Sequence, residues 1–276
     1  MLLLRDKMAF GICKSFLLAI SITSTLGLTA CSKTDPEVYL EEPAETIYNT
    51  AYDAFLSGDR EQAAKLFNEV ERQHPYSVWA LQAQLMAAYS YYSAEKYNDA
   101  ILILERFIEQ HPGNVNIPYA YYLRAVCYYM QIVDVGRDQR NTQLALEGFQ
   151  ELLGLFPESV YARDAAFKLD LIRDHLAGKE MNVGRFYQNQ HLYLAAVNRF
   201  RMVIQNYQTT GHVPEALHRL TESYLSLGVV DEAQNAAAVL GYNFPGSPWY
   251  EDSYRLLTQN NLKPLRKDSS WLKQLF

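Results

Sequence analysis

From Ala44 to about Leu257, apolar residues recur three and four positions apart, the spacing that gathers them on one face of an α-helix. Helix-length blocks of twelve to sixteen residues are separated by short breaks such as Ser57-Gly58-Asp59, His74-Pro75 and His111-Pro112-Gly113. Strand-like alternation is scarce, so the pattern predicts an all-α chain of short helices.

The helices repeat. Ala63, Ala100, Ala145, Ala196 and Ala233 open a second helix in the same setting, each expected to pack against the helix before it. Four positions later stand Phe67, Leu104, Phe149 and Phe200, with Ala237 the weak copy. Twelve positions later stand Pro75, Pro112, Pro157 and Pro245, with Gln208 in the fourth copy. Ala51, Ala88 and Gly184 lie twelve positions before the first, second and fourth alanines. Small residues let two helices approach, a bulky one fills the remaining gap, and proline stops the second helix. These are the marks of the tetratricopeptide repeat, and they predict a superhelix of about five repeats. The alanine spacings of 37, 45, 51 and 37 make the array irregular. About eight extra residues near 133–142 enlarge the third repeat, and residues 161–187 are expected to form one long helix, weakened by Gly178 and Gly184. Residues 44–160 then hold repeats one to three, residues 161–260 the linking helix and repeats four and five, and Trp249 to Leu257 a capping helix.

The first 43 residues follow another pattern. Arg5, Lys7 and Lys14 precede a mostly apolar run from Phe16 to Leu28, too short for the roughly 20 residues a spanning helix needs. That layout predicts a secretory signal over residues 1–30. Leu28-Thr29-Ala30-Cys31 is similar to the lipobox of bacterial lipoproteins, which implies cleavage before Cys31 and a diacylglyceryl group and N-acyl chain on that cysteine. Ser32, rather than Asp, is expected to direct it to the outer membrane. Residues 31–43, acidic with two prolines, are expected to be a tether.

Charge and chemistry narrow the function. The formal charge is −6; removing residues 1–30 takes three basic residues and one acidic, leaving 22 against 30 and about −8, unfavourable for binding nucleic acid. After signal removal and lipidation Cys127 is left alone, expected in the core. The chain has no Gly-x-Ser-x-Gly, no phosphate-binding Gly-rich loop and no His-Glu-x-x-His. His212, His218 and Glu222 lie near one another but lack a third strong ligand, so neither a metal site nor a catalytic residue is expected, and no cofactor beyond the lipid on Cys31. Binding is the remaining class. Of 21 tyrosines, Tyr48, Tyr52, Tyr89, Tyr92 and Tyr128, taken with Arg124, are expected to line a substrate groove on the first helices of repeats one to three. The tail at 261–276 joins Lys263, Arg266, Lys267 and Lys273 to Leu, Trp and Phe residues; it suits lipid headgroups, an acidic partner or a solvated terminus equally.

Residues 64–77, 83–92, 134–140, 161–165, 175–181, 195–200 and 241–247 together resemble one family, the BamD (ComL) lipoproteins of the outer-membrane β-barrel assembly machinery, in its alphaproteobacterial form. The resemblance covers nearly all of the chain after Cys31. It implies a non-catalytic scaffold, lipid-anchored in the outer membrane and facing the periplasm. Its implied partners are the POTRA domains of a BamA-like insertase, other lipoproteins of the machinery, and the C-terminal β-signal of unfolded outer-membrane proteins. Asn198 and Arg199 match the family's Asn-Arg motif, and with Tyr187 they are the partner-binding residues the resemblance implies. A tetratricopeptide scaffold serving peptidoglycan or cell-division factors is the alternative on the same fold.

Overall fold

The five repeat alanines are fully buried, and the helices pair around them. The computed structural model describes residues 42–263; the expected signal peptide, Cys31, nearly all of the tether and the tail from residue 264 lie outside the described residues. Within them are eleven α-helices and no strand: α1 Ala44–Leu56, α2 Arg60–Gln73, α3 Val78–Ser93, α4 Tyr97–Gln110, α5 Ile117–Tyr129, α6 Arg140–Leu155, α7 Ala162–Asn189, α8 Tyr193–Asn206, α9 Val213–Ser226, α10 Val230–Asn243 and α11 Pro248–Gln259. None is long and apolar enough to cross a membrane. Each helix packs chiefly on its neighbours in chain order, with α11 lying on α9 and α10. This is the tetratricopeptide arrangement, with helix pairs α1–α2, α3–α4, α5–α6, the second half of α7 with α8, and α9–α10.

Phe67, Leu104, Phe149 and Phe200 are buried without residue, each worth about 1.5–3 kcal/mol of apolar transfer. The second helices end on one backbone shape: φ/ψ is −132/60 at His74, −129/50 at His111, −135/57 at Phe156 and −135/55 at Phe244. Tyr207 adopts the same shape, −132/44, although Gln208 follows it in place of proline. Thr210 N–H donates to the Tyr207 carbonyl at 3.1 Å, as Ser77 does to His74 at 3.0 Å. The turn therefore needs no proline to close.

The third repeat departs from the rest. Its first helix ends early, and Ala125 supplies the small residue; a Cβ on Gly148 would lie 3.0 Å from the Ala125 Cβ. The extra residues form a loop braced by Gln139, whose Nε2 donates to the carbonyls of Asp134 (3.1 Å) and Arg137 (3.0 Å). Thr142, also buried, donates to Gln139 Oε1 at 2.8 Å.

Helix α7 is unbroken over 28 residues. Its first half, through Leu176, shares a core with α5 and α6; from Ala177 it belongs to a second core with α8, α9 and α10. The expected weakening at Gly178 and Gly184 is replaced by a packing role. A Cβ on Gly184 would lie 2.4 Å from the Phe200 ring, so this glycine is what allows α8 to seat against α7.

Candidate functional site

Positions on a helix advance about 100° per residue, so neighbouring tyrosines separate onto different faces. Tyr48 is core rather than groove: only 7% exposed, it sits between Phe67 (centroids 5.2 Å) and Trp79 (4.9 Å). Its spacing from Ile47 and Ala51 puts it on the buried side of α1. Tyr52 and Tyr89 remain open at 43% and 37% exposure. Phe55 joins them, 5.7 Å from Tyr89 and capped by the Arg60 guanidinium 4.0 Å from its ring. Tyr89 meets half-buried Tyr92 at 6.0 Å, and Tyr92 meets Tyr97 at 6.0 Å.

The aromatic residues continue on α5 and at the N-terminus of α7, outside the six expected groove residues. Tyr119 lies 5.6 Å and Tyr122 5.0 Å from Tyr161. Burial raises the Tyr119 hydroxyl well above its ordinary pKa, with Tyr89, Tyr161 and Tyr92 adding to the shift. Tyr122 O–H donates to Asp164 at 2.7 Å, and Lys168 pairs with the same carboxylate at 2.8 Å. Although partial burial opposes it, these two partners hold Asp164 below the usual carboxylate range. Phe55 stands four positions after Ala51, as Tyr92 does after Ala88, and that register could have pointed to it; Tyr119 and Tyr161 have no such repeat position.

Arg124 and Tyr128 are not part of that surface. On α5 residues 121, 124 and 128 share the side away from 119 and 122. Arg124 pairs with Glu151 of α6, its guanidinium 4.9 Å from the Tyr121 ring. Burial, then the nearby Glu105 carboxylate of α4, raises the Tyr128 hydroxyl. Both residues serve packing between second helices, so of the six expected groove residues Tyr89 and Tyr92 are in contact and Tyr52 is exposed on α1, three positions before Phe55.

In the C-terminal repeats Asn198 is exposed on α8, and Arg199, 38% exposed, pairs with Glu180 of α7 at 3.1 Å. Tyr187 packs against the core on α7, roughly 10 Å along the helix from Glu180. The three expected partner residues therefore lie on the packed pair α7 and α8. Beside them α8, α9 and α10 enclose a cleft of about 340 Å³ lined by Arg201, Ile204, Leu217, Leu220, Tyr224 and Ala236, among others. Burial raises the Tyr224 hydroxyl while Arg201, bonded to it, acts in the opposite direction. Ala236 stands where repeat two carries buried Ile103, and the lost side chain opens the space.

His212 and His218 point to separate partners. His212 Nε2 lies 3.7 Å from Asp174 of α7, whereas His218 is buried between Ser253 of α11 (Nδ1 to Oγ 2.8 Å) and Glu222 (3.4 Å). Glu222 also accepts from Arg219 at 2.8 Å and from Gln188 of α7 at 3.0 Å. Burial opposes its charge, yet His218 and Arg219 outweigh that and bring it from 4.5 down to about 2. A depressed carboxylate contributes stability that is full above its unfolded pKa and lost as pH falls toward its folded one. The resistance to urea should therefore fall between about pH 4.5 and pH 2, and less steeply in Glu222→Gln; equal acid sensitivity of the two would refute the assignment. Cys127 is fully buried, and burial pushes its thiol up to about 12, which leaves it a core residue.

Comparison with known proteins adds identity to this geometry. Residues 40–240 match the family model YfiO, described as outer membrane lipoprotein. The chain is 47% identical over 241 residues to the outer membrane protein assembly factor BamD of Caulobacter vibrioides, covering 87% of this chain and 79% of that one. Identity to the Rickettsia prowazekii protein of that name is 45%, covering 87% and 96%. With the Neisseria meningitidis serogroup A / serotype 4A protein it is 33%, covering 88% and 96%.

Proposed function

The chain belongs to the YfiO family of outer membrane lipoproteins, whose curated relatives are BamD assembly factors, and from that premise we propose that it is a non-catalytic scaffold with two binding surfaces. The open aromatic surface of the first three repeats receives the C-terminal β-signal of unfolded outer-membrane proteins. The α7–α8 seam and the cleft beside it bind the periplasmic POTRA region of a BamA-like insertase. Cys31, carrying a diacylglyceryl and an N-acyl chain, anchors the scaffold to the outer membrane on its periplasmic side. Other lipoproteins of the machinery dock on the remaining surface, and no metal or free cofactor takes part.

The observation that supports the substrate surface is the aromatic run of Phe55, Tyr89, Tyr92, Tyr119, Tyr122 and Tyr161, with exposed Tyr52 three positions before Phe55 on α1. A β-signal is extended, apolar and aromatic. Tyrosines offer it flat apolar area with a hydroxyl tip at low entropic cost, since each ring is already held by its neighbours. Replacing both Tyr52 and Tyr89 by alanine is expected to weaken binding of a fluorescent β-signal peptide about tenfold, read by anisotropy, with thermal stability little changed. Tyr48→Ala should do the reverse, lowering stability. Unchanged peptide affinity in the Tyr52/Tyr89 variant would remove the surface from the proposal.

A further inference from the structure

The cleft between α8 and α10 has a counterpart. Counted from the repeat alanines, its lining falls in register with a second opening, about 570 Å³, between α2 and α4. Tyr91 and Tyr224 stand at equivalent positions in the two. Between α2 and α4 the walls are charged, with Glu71, Arg72, Asp99 and Arg106 among them. Glu71 accepts from Gln84 of α3 at 2.6 Å and from Arg106 of α4 at 2.8 Å, tying three helices together. In repeats four and five those three positions are Ile204, Leu217 and Val239, all buried, and Ile103 gives way to Ala236. A hydrogen-bonded bridge has been exchanged for an apolar wall, and one side chain has been shortened. Packed interiors normally leave no such space, and a shortened buried side chain costs stability unless another group fills the gap.

The walls are already in place. Ile204, Leu217 and Ala236 are 2%, 1% and 3% exposed, held by the packing of the chain itself. At about 340 Å³ the cleft lies near the lower bound of ligand pockets, about 300–1,000 Å³. A helix, about 10 Å across, is too wide for it; one or two side chains fit. The mouth is polar and has a direction. Arg201 of α8 is exposed and bonds the Tyr224 hydroxyl. Among the described residues it pairs with no carboxylate, whereas Arg185, Arg199 and Arg219 of the same repeats all do. Glu232, also exposed, stands on the α10 side.

Resting on the insertase reading above, we propose that the cleft receives one bulky apolar side chain of the POTRA region, the size of leucine or phenylalanine, carried next to a carboxylate that pairs with Arg201. The carboxylate follows from Arg201, a cation at the rim without an acid of its own. Its placement follows from Glu232, which repels a carboxylate laid on the α10 side and directs it to α8. A buried apolar anchor ringed by polar residues that exclude water is the arrangement that concentrates affinity in protein interfaces.

The test is co-purification of the insertase with the full-length protein extracted from membranes. Ala236→Ile, which restores the repeat-two residue, should lower recovery about tenfold or more, while the urea midpoint stays or rises because a cavity is filled. Ala236→Val should give a smaller loss. Arg201→Glu should lower recovery as much as Ala236→Ile, and Arg201→Lys only a little. A photo-crosslinking residue in place of Gln205, exposed beside the cleft, should join the insertase at an apolar residue next to Asp or Glu. Should Ala236→Ile lower the urea midpoint, Arg201→Glu and the cross-link decide. An unaltered protein that recovers no insertase overturns the underlying reading and the cleft contact with it. Recovery of the insertase by the unaltered protein, with equal recovery by Ala236→Ile or Arg201→Glu, overturns the cleft contact alone. So does a cross-link to a second copy of this chain or to another lipoprotein.

Discussion

Gly184→Ala should lower the stability of the folded chain by about 2 kcal/mol, although helix propensity alone predicts a gain of about 1 kcal/mol from removing glycine within α7. The sign is decided by Phe200. An added Cβ would lie 2.4, 2.8 and 2.9 Å from three atoms of its ring, and that ring is fully buried. Overpacking of this kind costs about 1–3 kcal/mol, and more where the obstructing group cannot turn aside. Gly154→Ala on α6 provides the matched control. Nothing lies within 4 Å of a Cβ there, so it should raise stability by about 0.5–1 kcal/mol. Phe200→Leu removes the obstructing ring edge, and in combination with Gly184→Ala should cost less than the two changes added together, by about 1 kcal/mol. Urea unfolding midpoints of the four proteins check this. A stabilised Gly184→Ala would show that α7 and α8 do not pack as described.

Charge reversal at Arg199 is the second large effect, and here the expected loss is in binding. Arg199 pairs with Glu180 across the α7–α8 seam, with its side chain partly open. Such an exposed pair contributes about 1 kcal/mol or less to folding. Arg199→Glu breaks it and sets two carboxylates face to face. The exchange of both residues, Glu180→Arg with Arg199→Glu, restores an internal pair of opposite order. If the arginine contacts an acidic surface of the insertase, co-purification falls about 30-fold or more, near 2 kcal/mol, in both the single and the exchanged variant. If Arg199 only joins α7 to α8, the exchange restores co-purification. The exchanged variant therefore separates a partner contact from a structural one, and recovery there would remove Arg199 from the binding surface.

The acidic window of Glu222 and the proposed peptide surface at Tyr52 and Tyr89 differ in how visible they are in the chain itself. His218 and Glu222 stand four positions apart, which suggests a pair. Their third partner, Ser253, comes from α11, 35 positions away from His218, and no local pattern links them. Arg124 and Tyr128 are expected in the groove because they lie on the first helix of a repeat, the helix that also carries Tyr122. They are turned away from it, and only Glu151 and Glu105 on neighbouring helices reveal which side is covered.

The amino-acid sequence by itself determined the repeat. Alanine, a bulky residue four positions on and proline twelve positions on are local signals, because small and large side chains fix how near two helices come and proline ends the second one. Every one of those alanines is buried. Even the exception, Gln208, keeps the turn, since the backbone bond from Thr210 to Tyr207 can form without the ring. The positions of the first and second helices and the unbroken run of α7 were legible for the same reason. Tertiary structure alone decided which helix faces remain open. Periodicity separates an apolar face from a polar one, but a tyrosine suits both. Tyr48 is enclosed because Phe67 and Trp79 come together around it, while Tyr89 stays open. Gly184 likewise counts as a weak point within α7 until Phe200 arrives from α8, when it becomes the only residue that leaves room. Local preferences act within a helix turn; closeness and exposure are set by side chains that are distant in the chain, and those only the packed structure brings together.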